Sequence, residues 1–166
     1  MATRKGSTRP SKPAKKTKSS GFITTGTIEV KKITTEAKAL TKAYPGDACY
    51  DLYSVETKQI AGLSSAPIKT GVAIAIPPGY FGKIYDRSGN ALNGNFHVTA
   101  GVIDAGYRGE IQVILYNKKD YPHHINTGDK IAQIAIHQIH PFEIKEVSEF
   151  STKTERDEKG FGSSDK

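Results

Sequence analysis

The feature that most constrains the fold is a series of short stretches in which apolar and polar residues alternate, each of them ending at a turn. Alternation with a period of two is typical of half-buried β-strands, and the glycines, prolines and asparagines between the stretches are typical of turns. The sequence contains no convincing long amphipathic helix and no alternation of strands with helices. The candidate strands are 26–33, 68–76, 80–85, 95–98, 111–116, 131–139 and 142–147. This spacing predicts an all-β fold, either a sandwich or a barrel.

Length and composition exclude several classes of protein. The 166 residues suit one domain with a substantial core. The single cysteine rules out an intrachain disulfide framework. No apolar stretch approaches the roughly 20 residues that span a bilayer, and no signal-peptide region is visible. We therefore expect a soluble, intracellular protein with no membrane partner.

The net charge of +7 comes entirely from the first 25 residues. They carry seven lysines and arginines and no acidic residue, whereas the remainder carries 17 charges of each sign. This segment has too few apolar groups to repay the entropy of ordering, so we expect residues 1–25 to form a disordered arm. The run 13–18 (Pro-Ala-Lys-Lys-Thr-Lys) is compatible with nuclear import, with non-specific contact to nucleic acid, or with a merely solubilising tail.

The run from Gly101 to Glu110 places a carboxylate and an aromatic ring at a tight, glycine-punctuated turn. We expect a β-hairpin in which Val102 and Ile103 lead into the turn and 111–116 leads out. The backbone of such an arm can read a flat base edge, Asp104 can orient a water molecule, and Tyr107 can stack on a sugar. An ordinary surface hairpin whose aspartate favours the turn would explain the same residues.

Four further segments carry polar groups of the kind that bind phosphate. Arg87, Ser88 and Gly89 offer a guanidinium, a hydroxyl and a permissive backbone in succession. The other three are 47–54, 128–133 and 156–164. Taken singly, each is also explained as an ordinary turn or a solvated charge. Their order and spacing form the more specific signal.

In chain order, the segments 47–54, 87–89, 101–110, 128–133 and 156–164 resemble the first to fifth motifs of the trimeric dUTP pyrophosphatases (dUTPases). The similarity covers about residues 26–166. It departs from the family pattern at Cys49, Gly106 and Asp157, and at Ser164-Asp165. The resemblance implies a distorted, jelly-roll-like β-barrel over 26–150 and a flexible lid over 151–166. It also implies hydrolysis of dUTP to dUMP and pyrophosphate, which limits uracil in DNA and supplies dUMP for thymidylate synthesis.

Within that resemblance, the third motif supplies the base and the nucleoside contacts. Asp104 is expected to orient and deprotonate the water that attacks the α-phosphorus. Tyr107 is expected to pack under the deoxyribose and leave no room for a 2′-hydroxyl. Uracil is expected to pair with the arm across the hairpin, and the residues that contact it are Gly101, Val102, Ile103 and Gln112.

The remaining motifs are expected to hold the triphosphate. The contacts implied are Arg87, Ser88, Gly89 and Gln133 on the phosphates, with Arg156 on the γ-phosphate. Phe161 is expected to stack on uracil when the tail closes, together with Gly162 and Ser163. Mg²⁺ is expected to be held mainly by the phosphates, with Asp51 acting through a metal-bound water. The resemblance also implies a homotrimer in which three chains assemble each site.

Two other functions are compatible with parts of this pattern. The related dCTP deaminases share a similar turn, but they place a catalytic glutamate seven residues beyond the aromatic, where this chain has Ile114. A non-enzymatic β-sandwich that binds partners through its basic arm is the second alternative. The sequence does not specify the compartment: a nuclear location fits a eukaryotic host or its virus, and a cytoplasmic one any other host.

Overall fold

The computed structural model describes residues 26–93 and 96–158, and within them it is built of short strands with one helical turn. The strands are β1 (Glu29–Lys32), β2 (Tyr50–Tyr53), β3 (Lys58–Ile60), β4 (Ser65–Lys69), β5 (Val72–Ala75), β6 (Tyr80–Tyr85), β7 (Phe96–Val98), β8 (Val102–Ile103), β9 (Gln112–Asn117), β10 (His123–Ile125) and β11 (Lys130–Gln138). The helix α1 (Ser88–Leu92) lies between β6 and β7. The all-β prediction is confirmed. None of the helices in these two ranges is long and apolar enough to cross a membrane.

The strands form two larger sheets and two smaller ribbons, all of them with antiparallel pairing. One sheet has the order β2-β11-β6-β8 and the other the order β4-β9-β7. The ribbons are β1-β5 and β10-β3. Neighbours in these sheets are mostly far apart in the sequence, so the fold depends on long-range pairing.

The core lies between these sheets and is formed by the inward-facing residue of each alternating pair. In β9, for example, Val113 and Leu115 are fully buried while Gln112 and Ile114 are exposed. Burial of one such aliphatic side chain stabilises the fold by about 1.5–3 kcal/mol. The cluster consists of Ala37, Leu52, Ile60, Ile68, Val72, Ile74, Ile76, Ile84, Phe96, Ile111, Val113, Leu115, Ile125, Ile131, Ala132 and Ile134.

One polar side chain, Asn117, lies wholly inside this core at the end of β9. Its Nδ2 donates to the carbonyl oxygens of Ile60, Ala61 and Tyr121 at 3.2, 3.1 and 2.8 Å. Its Oδ1 accepts from the backbone N–H of Lys119 at 3.0 Å. A buried amide with every group paired costs little, and here it fastens β3 and the β9–β10 connection to the core.

Two of the predicted strands are shorter or divided. The strand covers only Glu29–Lys32 of the predicted 26–33, and the predicted 68–76 is interrupted at Thr70 and Gly71. Gly71 has φ of 66°, and a Cβ there would lie 2.8 Å from the Cβ of Ala37. The interruption arises because the chain changes partner at this point, from β9 in one sheet to β1 in a ribbon. Strand 95–98 is described from Phe96 onward.

The predicted strand 142–147 is wrong for the single chain. The segment has no strand pairing, and Phe142 and Ile144 are 84% and 95% exposed. Alternating apolar residues predict an extended strand only where a neighbour supplies hydrogen bonds and a surface to cover them. No such neighbour exists among the described residues of this chain.

The pairing predicted for the 101–116 hairpin is also wrong. β8 pairs with β6, through Gly82↔Ile103, and not with β9. The strand that pairs with β9 on this side is β7, through Val98↔Leu115. The tight turn itself is present, because the N–H of Tyr107 donates to the carbonyl of Asp104 at 3.1 Å. Residues 99–111 therefore form a wide connection between β7 and β9, and β8 within this connection pairs with the other sheet.

Candidate active site

A carboxylate shared by two cations forms the centre of the candidate phosphate site. Asp51 on β2 is buried, and its Oδ1 accepts from the Nε of Arg87 at 3.0 Å. Its Oδ2 accepts from the Nζ of Lys130 at 2.6 Å. Two positive groups around one negative group leave an excess positive charge, which favours an anionic ligand. The structure thus brings together residues of the first, second and fourth predicted motifs.

The register of the central sheet explains this meeting. β11 lies between β2 and β6, so that Gln133 pairs with Asp51 on one side and with Tyr85 on the other. Arg87 follows two residues after the end of β6 and therefore arrives beside Asp51. The Nε2 of Gln133 donates to the carbonyl of Asp86 at 2.8 Å, which ties the fourth motif to the second.

Asp86 anchors the phosphate segment in a way that the sequence did not indicate. Its Oδ1 accepts from the backbone N–H of Val98 at 2.6 Å, and its Oδ2 lies 2.7 Å from the Nδ1 of His97. β7 is thereby fixed to the residue that precedes Arg87. Ser88 and Gly89, which begin α1, are exposed, and a Cβ on Gly89 would meet nothing within 4 Å.

Lys130 belongs to the cluster by its contact with Asp51, although the sequence pattern assigned it no role. The sequence indicated its segment as a phosphate motif, but only Gln133 received a role. The hydrogen bond to Asp51 raises the pKa of Lys130, so its ammonium group stays charged at neutral pH. The ring of Tyr53 lies 5.7 Å from the same nitrogen and covers it on one side.

A cavity of about 370 Å³ opens beside this cluster. Its polar lining consists of Asp51, Arg87, Gln133, Asp47 and Cys49. Burial raises the pKa of the Cys49 thiol. This departure from the family pattern therefore adds a neutral group, and no charge, to the cavity. A cavity of this volume lies in the range of small-molecule sites.

The arm from Gly101 to Glu110 is held at both ends. The carbonyl of Gly101 accepts from the N–H of Ile84 at 2.8 Å, and a Cβ on this glycine would lie 2.9 Å from the Cβ of Ile84. At the other end, the Oε1 of Glu110 accepts from the N–H of Gly71 at 2.8 Å. The carbonyl of Gly101 is therefore occupied by β6, and Ile103, two residues on, pairs with Gly82 on the same side. Because hydrogen-bonding groups alternate along a strand, the backbone groups directed away from β6 are those of Val102.

The turn between these anchors presents its two functional side chains to solvent. Asp104 is exposed, and Tyr107 is 45% exposed with its hydroxyl donating to the carbonyl of Glu110 at 2.9 Å. That hydrogen bond fixes the ring and leaves a face open. Gln112 is exposed where β9 pairs with Lys69 of β4.

This turn does not meet the Asp51 cluster within one chain. The β6–β8 register, continued by one residue, puts Asp104 beside Phe81, whereas Arg87 lies beyond the opposite end of β6. At 3.3 Å per residue this separates Asp104 and Arg87 by about 20 Å. A triphosphate spans less than half that distance, so the chain carries two half-sites.

The predicted tail contacts are only partly described. Arg156 is exposed. Asp157, which follows it, has φ of 43°, in the left-handed region that glycine adopts without strain, and its N–H donates to the Oγ1 of Thr154 at 3.0 Å. Phe161, Gly162 and Ser163 lie outside the described residues, as does the predicted arm 1–25.

The residues around Asp51 suit a metal held mainly by a ligand. Within 26–93 and 96–158, no group of three or more histidine, cysteine, aspartate or glutamate side chains is placed to enclose a metal ion. Both oxygens of Asp51 already accept a hydrogen bond, so what it can offer a hydrated cation is a further lone pair. This donor set fits contact through metal-bound water and does not fit a protein cage.

Comparison with known proteins gives a consistent result. The family model for dUTPase matches residues 35–165. A deoxyuridine 5'-triphosphate nucleotidohydrolase of Candida albicans is 42% identical over 132 residues, which cover 79% of this chain and 83% of the relative. The enzyme of the same name from Yaba monkey tumor virus is 40% identical over 137 residues, which cover 82% and 95%.

Solved structures agree with the sequence relatives. The dUTPase of Staphylococcus bacteriophage 80alpha, solved with dUpNHpp, has a TM-score of 0.79 and 34% identity over 84% of this chain and 99% of that one. A variant dUTPase from phage phi11 of S. aureus, which coordinates a structural Mg(II) ion, has a TM-score of 0.71 and 30% identity over 76% and 100%. The predicted jelly-roll-like fold is confirmed by these neighbours.

Proposed function

The chain belongs to the dUTPase family and hydrolyses dUTP to dUMP and pyrophosphate, and we propose that Asp104 of one chain acts on phosphates held by the Asp51 cluster of another. The observation that carries this proposal is the separation of the two half-sites. One half has a carboxylate and an aromatic ring on an exposed turn, and the other has a cavity beside the Asp51 cluster, about 20 Å away along β6.

The chemistry assigned to Asp104 is general base catalysis. Its carboxylate accepts a proton from the water whose oxygen attacks the α-phosphorus. The bond from that phosphorus to the α,β-bridging oxygen breaks, and pyrophosphate leaves with the electron pair. The carboxylate is exposed in the single chain, and closure of the site around it excludes water molecules other than the nucleophile.

Nucleoside recognition is assigned to the backbone and to Tyr107. The N–H and C=O groups of Val102 are proposed to pair with uracil, with Ile103 and Gln112 nearby. The carbonyl of Gly101 has no part in this, since it accepts from Ile84. The ring of Tyr107, fixed by its bond to Glu110, is proposed to lie against the deoxyribose and to exclude a 2′-hydroxyl.

The phosphates are assigned to the second and fourth motifs and to the tail. The guanidinium of Arg87 can meet two phosphate oxygens at once, which a lysine cannot do. Ser88 and Gly89 add a hydroxyl and an accessible backbone, and Gln133 adds its amide. Arg156 is proposed to reach the γ-phosphate when the segment 151–166, including Phe161, Gly162 and Ser163, closes as a lid over the domain 26–150.

Mg²⁺ is proposed as the cofactor, bound chiefly through the triphosphate. When bound, it neutralises phosphate charge and polarises the phosphorus toward attack. Asp51 is proposed to orient its water shell, because the carboxylate is held firmly by Arg87 and Lys130. Hydrolysis without a divalent cation would contradict this assignment.

A homotrimer is proposed because neither half-site is complete alone. The exposed apolar side chains of Phe142, Ile144 and Phe150, each at least 84% exposed, support an exchanged C-terminal segment. Such side chains are costly in water, and a neighbouring copy can cover them. Cyclic symmetry gives every site the same three contributions from one sequence.

The basic arm is proposed to bind nucleic acid non-specifically or a nuclear import factor, and to direct the protein to the nucleus in a eukaryotic host. Its seven positive charges without an acidic residue support this. Deletion of residues 1–20 should abolish salt-dependent DNA binding and leave turnover unchanged. DNA binding that survives this deletion would locate the contact on the folded domain.

The experiment that tests the assignment of the base is pyrophosphate release from dUTP with Mg²⁺, beside dCTP, dTTP and UTP. Wild type should hydrolyse dUTP alone, and Asp104→Asn should lower kcat by about 10²–10⁴-fold, the usual contribution of a general base. Retention of most of kcat in Asp104→Asn would remove the residue from this role. Release of ammonia from dCTP would favour the deaminase alternative.

A further inference from the structure

We propose that Lys130 is a positioning residue for phosphate binding, which acts by holding the second oxygen of Asp51 so that Arg87 presents its terminal nitrogens to the ligand. The inference rests on the proposed phosphate-binding role of the Asp51 cluster. It concerns a residue to which the five motifs gave no separate function. Two features of the structure and one chemical argument support it.

The first feature is a bulge that directs Lys130 to this face of the sheet. In a regular strand, residues three apart point to opposite faces, so Lys130 and Gln133 would be separated. The β2–β11 register shifts between Lys130 and Ala132, and one extra residue of β11 is accommodated there. Lys130 therefore pairs with Tyr53 and shares the face of Asp51 and Gln133. Bulges that aim a side chain at a site are selected features of sheets.

The second feature is the way in which Arg87 contacts Asp51. The pair is joined through Nε and Oδ1 at 3.0 Å, and the other carboxylate oxygen belongs to Lys130 at 2.6 Å. Within the described parts of the chain, the terminal nitrogens of Arg87 have no hydrogen-bond partner. One of the five N–H donors is thus used, and four remain in a planar fork for phosphate oxygens.

The chemical argument concerns what the carboxylate would do without Lys130. Arginine and carboxylate groups tend to form two parallel hydrogen bonds when both oxygens are available. A vacant Oδ2 would draw a second N–H of Arg87 and turn the guanidinium plane toward Asp51. This turn weakens phosphate binding through Asp51, without any contact between Lys130 and the ligand.

The test compares the affinity of four proteins for α,β-imido-dUTP with Mg²⁺, measured by calorimetry in 0.15 M salt. Lys130→Met keeps an unbranched, flexible side chain and removes the ammonium group. Lys130→Arg restores a cation for Asp51. Lys58→Met is the matched control, since Lys58 is a partly exposed lysine whose ion pair with Glu56, at 3.9 Å, is remote from the cavity.

Lys130→Met is expected to weaken binding by about tenfold, a middle value for residues in direct contact. Lys130→Arg and Lys58→Met should bind within about threefold of wild type. The decisive comparison adds Lys130→Met to Asp51→Asn, where it should cause no further loss beyond about threefold, because the carboxylate through which Lys130 acts is gone.

Three results would overturn the inference. The first is unchanged binding by Lys130→Met, and the second is failure of Lys130→Arg to restore binding. The third is a full tenfold further loss of affinity when Lys130→Met is added to Asp51→Asn. That result would mean that Lys130 contacts the phosphate directly. If the unfolding temperature shows that Lys130→Met does not fold, Lys130→Gln replaces it in every comparison. Absence of analogue binding by wild type would instead overturn the proposed phosphate site itself, so the two failures are distinguishable.

Discussion

Substitution of Gly101 by alanine tests whether the arm must lie directly against β6. The added Cβ would lie 2.9 Å from the Cβ of Ile84, and 3.1 Å from its carbonyl oxygen. Carbon atoms pack best at about 3.5–4.0 Å, so the arm must move away by roughly 1 Å. Overpacking of this kind costs about 1–3 kcal/mol. The movement also stretches the 2.8 Å hydrogen bond from Ile84 to Gly101.

The consequence for catalysis should exceed the consequence for stability. Asp104 follows three residues after Gly101, so a shift of the arm carries the base away from the phosphorus. A misplacement of about 1 Å can lower the rate of a positioned reaction by about 10²-fold. Gly101→Ala should therefore lower kcat for dUTP by about 10–100-fold, while the unfolding temperature falls by several degrees. Pyrophosphate release and calorimetric unfolding measure the two effects.

The matched control is Gly106→Ala, on the same turn. A Cβ there would meet nothing within 4 Å, so its stability should stay within about 0.5 kcal/mol of wild type. If Gly101→Ala has both the unfolding temperature and the kcat of wild type, the close packing of the arm on β6 is not what positions Asp104.

Three further predictions concern stability, the tail and pH. Asn117→Leu leaves the carbonyls of Ile60, Ala61 and Tyr121 without their donor. The free energy of unfolding, measured by urea titration, should fall by about 3 kcal/mol. An unchanged midpoint would mean that water replaces the amide. Asp157→Gly removes both a left-handed aspartate and a negative charge near the proposed γ-phosphate site, so KM for dUTP should fall about two- to threefold. Asp157→Asn removes only the charge and should give part of that decrease. A rise in KM would contradict the reasoning. Burial lowers the pKa of His123, so the unfolded chain binds a proton on this imidazole more readily than the folded chain. The stability that neutral His123 contributes is complete above pH 6.5 and is lost as pH falls through the lowered folded-state pKa. The unfolding temperature of His123→Gln should therefore depend less on pH between 7.5 and 5 than that of wild type.

The sequence predicted the strands that bury one face and failed where the partner of a strand decides the structure. Alternation located β6, β9 and β11 to within a residue or two, because burial of one face fixes their periodicity. It could not indicate that Val102 and Ile103 pair with β6, since pairing across sheets depends on the path of the whole chain. The segment 142–147 has a strand pattern and no neighbour within the chain.

The candidate site divides in the same way. Residue types and order predicted that Asp51, Arg87 and Gln133 belong to one function, and the structure brings them together across 36 or more residues of sequence. Lys130 was missed because a regular strand would place it on the opposite face, and a single-residue bulge leaves no mark in a sequence. The occupied carbonyl of Gly101 was likewise beyond sequence, since it depends on a contact with Ile84.

The most direct test of a site shared between chains is complementation between two inactive variants. Asp104→Asn and Arg87→Met each remove one half-site and should each be inactive alone. Random mixing in a cyclic trimer unites an intact Asp104 with an intact Arg87 at about one interface in four. The co-refolded mixture should therefore recover about a quarter of wild-type pyrophosphate release from dUTP. A mixture no more active than its separate components would show that both groups act within one chain, in contradiction to the assembly proposed here.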